Sequence, residues 1–114
     1  MAPDSLYISD KIFHSRLFIG TGKFPNPSIM NESIIASESQ MITVAIRRVD
    51  IDNPDDPFTQ IIDPSQYQFL PNTSGARNAE EAIRIAKIAK ASGLSNWIKL
   101  EVTPEPNHLL PDPI

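Results

Sequence analysis

Met41-Ile42-Thr43-Val44-Ala45-Ile46 is the stretch whose reading decides the fold. It is apolar almost throughout, rich in β-branched residues, and does not alternate with polar ones. A strand of this kind is covered on both faces, which is the pattern of a parallel sheet. Three more strand-like runs share the chain: 17–19, ending in Gly20-Thr21-Gly22; 67–70, ending at Pro71-Asn72; and 97–102, ending before Pro104. Their starts are spaced by about 25 residues, the repeat length of βα units.

Helical segments lie between the runs. The clearest spans 79–91: Asn78 is an N-cap, Glu80 and Glu81 suit the first turn, and Gly93 stops the helix. Ala79, Ala82, Ile83, Ala86 and Ala89 fall on one face at helical spacing. A second helix is expected over 28–38, with Pro27 near its start. Between the second and third runs, Pro54, Pro57 and Pro64 leave room for only a turn or two of helix near 58–62. Tyr7-Ile8-Ser9 and Lys11-Ile12-Phe13 suggest a small hairpin ahead of the first unit. The resulting order is strand, helix, strand, short helix, strand, helix, strand: an α/β domain with parallel strands.

Bulk composition narrows the function classes. The chain has 114 residues, enough for one small domain. A whole (β/α)8 barrel, at roughly 250 residues, does not fit. Net charge is -4, and basic residues never cluster beyond two neighbours, which argues against nucleic-acid and membrane-surface roles. There are no cysteines, so disulfides, thiolate metal sites and a cysteine nucleophile are excluded. No apolar stretch approaches the ~20 residues of a membrane-spanning helix. The first residues lack the basic-then-apolar layout of a signal peptide, so a soluble, cytoplasmic protein is expected.

The fourth run carries the most chemistry. Alternation along a strand puts Ile98, Leu100 and Val102 on one face, suited to covering helices. Trp97, Lys99 and Glu101 share the other, with the ammonium and carboxylate positions separated by roughly 7 Å. One reading is a nucleophilic amine that forms an imine with a carbonyl substrate, with the carboxylate moving protons. The other is an ordinary strand-end ion pair, and spacing alone favours it.

The remaining candidates are weaker. Gly20-Thr21-Gly22-Lys23 follows a strand and precedes a helix, so its N–H groups could cradle a phosphate. It matches neither the dinucleotide nor the P-loop pattern, and a tight turn is the better reading. Asn72-Thr73-Ser74-Gly75 reads equally as a polar pocket lining or as a loop with local side-chain caps. Of Arg47 and Arg48, one is expected to face inward, where it could meet an anion. His14 and His108 are isolated and have no metal-ligand spacing. Asp50, Asp52, Asp55 and Asp56 resemble a calcium loop, but Pro54, Pro57 and the missing bidentate Glu argue against one. No cofactor and no metal are expected.

In this order the segments resemble the bacterial-type thiazole synthases of thiamin biosynthesis. Leu17-Phe18-Ile19-Gly20-Thr21-Gly22-Lys23-Phe24 is similar to their opening strand and loop, and Val44-Ala45-Ile46-Arg47-Arg48-Val49-Asp50 to the second strand. Leu70-Pro71-Asn72-Thr73-Ser74-Gly75-Ala76, followed by Ala79-Glu80-Glu81-Ala82, is similar to the third unit. Asn96-Trp97-Ile98-Lys99-Leu100-Glu101-Val102 is similar to the fourth strand, and Leu109-Leu110-Pro111-Asp112-Pro113-Ile114 to the start of the next helix. The resemblance covers nearly all of the chain.

It implies that residues 1–114 form a partial TIM barrel, the N-terminal half of a (β/α)8 fold with about four βα units. It implies synthesis of thiazole phosphate from 1-deoxy-D-xylulose 5-phosphate, dehydroglycine and a sulfur-carrier protein bearing a C-terminal thiocarboxylate. By this resemblance Lys99 forms an imine with the sugar ketone and Glu101 assists proton transfers. The same resemblance places a further carboxylate and the substrate-phosphate loops on later strands, beyond Ile114. Four units leave two open sheet edges, so a homo-oligomer is expected and the 114 residues alone are expected to be inactive. The proline-interrupted segment after the second strand departs from the family's more regular helix.

Overall fold

The structure is a computed structural model that describes residues 4–22, 24–46, 62–63, 65–105, 107 and 110–113. It begins with an antiparallel hairpin of β1 (Leu6–Ile8) and β2 (Lys11–Phe13). Ser9 takes the left-handed φ of 53° in its two-residue loop, the backbone sign such hairpin loops use. Leu6 pairs with Phe13 and Tyr7 with Ile12. Phe13 is buried, whereas Tyr7 and Ile12 on the opposite face are exposed. The expected hairpin is therefore present.

Three parallel strands follow in the order β3 (Phe18–Ile19), β4 (Met41–Ala45), β5 (Gln68–Asn72). The deciding run forms the central strand, as its unbroken apolarity requires. Met41, Ile42 and Val44 are each at most 1% exposed. Helix α1 (Pro27–Ser37) connects β3 to β4. The Asn26 carboxamide oxygen accepts the Ile29 N–H at 2.9 Å, with Pro27 in the first turn. Met30 and Ile34 of α1 pack on Ile42, Val44, Ile62 and Phe69, with Ile19, Phe24, Tyr67 and Leu94 around them. This cluster is the core, and it defines the helix-covered face of the sheet.

Helix α2 (Ala79–Ala91) matches its expected bounds and lies against β5. Asn78 caps it by accepting the Glu81 N–H at 2.9 Å. The Glu81 carboxylate reaches back to the Arg77 N–H at 2.9 Å and the Arg77 guanidinium at 3.0 Å. These hydrogen bonds hold the Glu81 carboxyl below its ordinary range. The buried face differs from the expected one. Ala82 and Ala89 are buried with Ile85 and Ala86 half-buried, while Ala79 and Ile83 are exposed. The helix is thus rotated so that Ile85 replaces Ile83 towards the sheet.

Two strand expectations are corrected. The third strand runs to Asn72 rather than ending at Leu70. The fourth run is not a regular strand: its one backbone bridge is the parallel pair Asn72–Lys99. The reason is local. Residues 69 and 71 of β5, and Thr73 just after it, turn their backbone groups to this segment, and Pro71 has no N–H to give it. Ser95 intercepts the rung below, donating its hydroxyl to the Phe69 carbonyl at 2.9 Å and accepting the Trp97 N–H at 3.0 Å. Leu100, expected under a covering helix, is 66% exposed. The short helix near 58–62 falls outside the described residues.

Candidate active site

Paired residues of a parallel ladder point to the same face of the sheet. The register Ala45–Asn72 and Asn72–Lys99 therefore sets Lys99 on one face with Asn72 and Ala45. That face is opposite the one carrying Ile42, Val44 and Phe69 beneath α1. Trp97 shares it, packed on the Phe13 ring that also meets Phe18. The face is closed at the amino-terminal ends of the strands, where the Phe13 ring meets two others edge-on. One is Phe18 at 6.2 Å between centroids, the other Trp97 at 6.0 Å. Phe18 and Trp97 sit on opposite edges of the sheet, so a single ring spans it. The carboxyl ends of the strands are left for chemistry.

At that end the backbone around Lys99 is tightly specified. The Lys99 N–H donates to the Pro71 carbonyl at 2.8 Å, and the Thr73 N–H donates to the Lys99 carbonyl at 3.2 Å. Beyond this point the Thr73 hydroxyl replaces the backbone. It accepts the Glu101 N–H at 2.9 Å and donates to the Glu101 carbonyl at 2.7 Å. Thr73 is 0% exposed. Lys99 itself is exposed and Glu101 half-buried. Burial does not desolvate the amine here. The strand-end ion pair is not formed either: among the described residues the ion pairs are Arg16–Asp4 and Arg77–Glu81.

The Asn72-Thr73-Ser74-Gly75 loop carries local side-chain and backbone bonds. The Asn72 side-chain oxygen accepts the Ser74 N–H at 3.0 Å, and the Ala76 N–H closes a turn on the Thr73 carbonyl at 3.1 Å. Gly75 has a φ of 93° there, a backbone conformation costly for residues with a Cβ. The Ala76 carbonyl then accepts the Thr103 N–H at 2.8 Å. The loop thus braces the segment bearing Lys99.

Gly20 and Gly22 stand at the carboxyl end of β3, on the opposite edge of the sheet, and neither is among the glycines with a positive φ. Thr21 donates its hydroxyl to the Thr43 carbonyl at 3.0 Å, prolonging the β3–β4 pairing. His14 is exposed, and its backbone N–H bonds the Gln40 side chain. Lys23, Arg47, Arg48, His108 and the aspartates 50, 52, 55 and 56 lie outside the described residues. Among the described residues no group of three His, Cys, Asp or Glu could hold a metal ion, and no helix is long and apolar enough to cross a membrane.

The structure puts Lys99, singled out from the sequence, beside Asn72 at the carboxyl ends of the strands. Sequence reasoning missed Thr73 and Ser95 as hydrogen-bonding partners of that segment. The signal was faint: a hydroxyl residue at the end of one strand-like run and another just ahead of the next.

Comparison with known proteins bears directly on the family. The family model described as thiazole biosynthesis protein ThiG matches residues 7–114. Thiazole synthase 2 of Syntrophotalea carbinolica is 57% identical over 111 residues, covering 97% of this chain and 43% of that protein. The thiazole synthase of Syntrophobacter fumaroxidans is 53% identical, covering 96% of this chain and 43% of its own length. That of Shouchella clausii is also 53% identical, with 96% and 42% covered. The chain therefore spans less than half the length of these relatives. An α/β chain with sequential parallel strands, matched almost end to end, belongs to the ThiG family of thiazole biosynthesis proteins.

Proposed function

We propose that this chain is the imine-forming part of a thiazole synthase. The reaction joins 1-deoxy-D-xylulose 5-phosphate, dehydroglycine and sulfur from a carrier protein's C-terminal thiocarboxylate into the thiazole phosphate of thiamin. The observation that carries the reading is the Asn72–Lys99 register. It sets Lys99 on the face turned away from α1, at the carboxyl ends of the strands, where barrel enzymes do their chemistry.

Lys99 acts as the nucleophile. Its amine adds to the sugar ketone, and loss of water gives the imine. Glu101, two residues further along the chain, accepts and returns the protons that the addition and the later tautomerisation displace. The parallel sheet is the first half of a (β/α)8 barrel, so the substrate phosphate and a further carboxylate are held by later strands. The protein is cytoplasmic and homo-oligomeric, with the sulfur carrier as its protein partner and no nucleic-acid or membrane surface.

Borohydride trapping tests this. In the full-length protein incubated with 1-deoxy-D-xylulose 5-phosphate, reduction of the imine leaves a stable secondary amine on Lys99, read by peptide mass. Lys99→Arg is expected to leave no adduct. An adduct on another lysine, or none, rejects the assignment.

A second reading is favoured by the exposure of Lys99. The 114 residues alone are then a catalytically incompetent half-barrel that serves as a fragment or as a partner-binding unit. It predicts no steady thiazole formation by these residues alone, and turnover at the rate of a complete enzyme would refute it.

A further inference from the structure

The four backbone groups of Lys99 and Glu101 are all bonded to β5 or the residue just after it, and three of them are bonded to that one residue, Thr73. Thr73 takes the Lys99 carbonyl with its N–H, and both the N–H and the carbonyl of Glu101 with its hydroxyl. Pro71 takes the fourth, the Lys99 N–H. A regular parallel strand would spread these bonds along the main chain. Here a side-chain oxygen carries two of them, so the orientation of Glu101 depends on a chemical group that substitution can delete. The group is well placed for the task. Thr73 is fully buried, leaving water no access to compete, and its β-branched side chain has few rotamers to choose among. Thr73 is itself fixed by the Asn72-to-Ser74 bond and the turn closed at Ala76.

We propose that Thr73 is a positioning residue for imine chemistry. Its hydroxyl holds the Glu101 backbone and so fixes the point from which the Glu101 carboxylate must reach the Lys99 amine. The role rests on the reading of Lys99 as nucleophile and adds a specific dependence to it. Thr73 touches no substrate; it acts through the backbone of Glu101. Displacements of about 1 Å in a reacting constellation cost on the order of a hundredfold in rate.

The experiment uses the full-length protein with Thr73→Val, Thr73→Ala and Thr73→Ser. Thr73→Val removes both hydroxyl bonds at constant shape, Thr73→Ala leaves space for a water, and Thr73→Ser keeps the hydroxyl. Two measurements are made, each corrected for the folded fraction. Hydrogen exchange reads the Glu101 amide against the Lys99 amide, with no substrate present. Borohydride trapping with saturating 1-deoxy-D-xylulose 5-phosphate reads the rate of imine formation and its pH profile.

The expected result is faster exchange at Glu101 than at Lys99 in the Val and Ala variants. Trapping at saturation should fall at least tenfold, with the half-saturating concentration changing less than threefold and the acid limb of the pH profile flattened. Thr73→Ser should restore both within about threefold. If Thr73→Val does not fold, Thr73→Ala against Thr73→Ser decides the matter. An unchanged trapping rate per folded molecule in Thr73→Ala would overturn the proposal and leave Lys99 as nucleophile. So would a Thr73→Ser variant as slow as Thr73→Ala. A wild-type protein that traps no ketone at Lys99 instead overturns the nucleophile reading itself, and the positioning role with it.

Discussion

The two sides of β5 are built differently. Towards β4 it makes five consecutive parallel pairs, from Met41–Gln68 to Ala45–Asn72. Towards the segment bearing Lys99 it makes one, with the Ser95 hydroxyl ahead of it and the Thr73 hydroxyl after it. The first side is a main-chain ladder pressed under α1, and almost any apolar residue of suitable size would sustain it. The second side uses side-chain oxygens where rungs are missing. A ladder is robust because the backbone is common to all residues; a relay is adjustable because it depends on two. The adjustable side is the one next to the candidate nucleophile.

The largest expected effect lies on the robust side. Ile42 is 0% exposed under Met30 and Ile34. Ile42→Ala should therefore cost about 2–5 kcal/mol of global stability through lost burial and the cavity left behind. Urea unfolding followed by far-ultraviolet circular dichroism measures it, and a loss well below this range would mean that the ladder is less dominant than its burial implies.

A smaller and more local loss is expected on the other side. Ser95→Ala removes the link between the Phe69 carbonyl and the Trp97 N–H. It should cost about 1–2 kcal/mol, with hydrogen exchange accelerating over 97–101 and not over β4. The protein has one tryptophan, and its emission should shift to the red as Trp97 loosens from Phe13. Equal acceleration in β4 and in 97–101 would erase the distinction between the two sides.

The smallest effect is one of pH. Hydrogen bonds from Arg77 lower the Glu81 pKa in the folded chain from an ordinary value of 4.5. A carboxyl lowered on folding stabilises the fold above its unfolded pKa and loses that contribution as the pH falls through the folded one. Stability should therefore decline on acidification below about pH 4.5, and Glu81→Gln should flatten the decline. The side chain is partly exposed and screened, so the difference is expected to shrink with added salt. If Glu81→Gln leaves the acid limb of the Tm profile unaltered, the cap does not contribute in this way.

The same contrast explains what was legible in the sequence. The central strand, both helices and the hairpin follow from period and capping: unbroken apolarity at 41–46, Pro27 and Asn78 at the helix starts, and paired apolar runs around Ser9-Asp10. The face of Lys99 follows from alternation alone. The interruption of the fourth strand was less visible, because its apolar pattern is strand-like and the causes lie elsewhere, in Pro71 across the sheet and in two hydroxyls. The rotation of α2 was hidden for a related reason. Alanine and isoleucine both occur around the helix, and only packing against β5 selects Ile85 over Ile83. The open choice at Asn72-Thr73-Ser74-Gly75 turned on a contact more than 25 residues away, between Thr73 and Glu101.

The Phe13 ring carries a consequence in time. Its partner Trp97 lies more than 80 residues further along the chain. At ribosomal rates of about 5–20 residues per second, roughly 4–17 s separate the synthesis of the two rings. The hairpin forms within microseconds and must then wait with an uncovered aromatic ring while the sheet it will close is still being made. The side of the hairpin that carries Phe13 is therefore exposed in the growing chain for seconds before residue 97 can cover it.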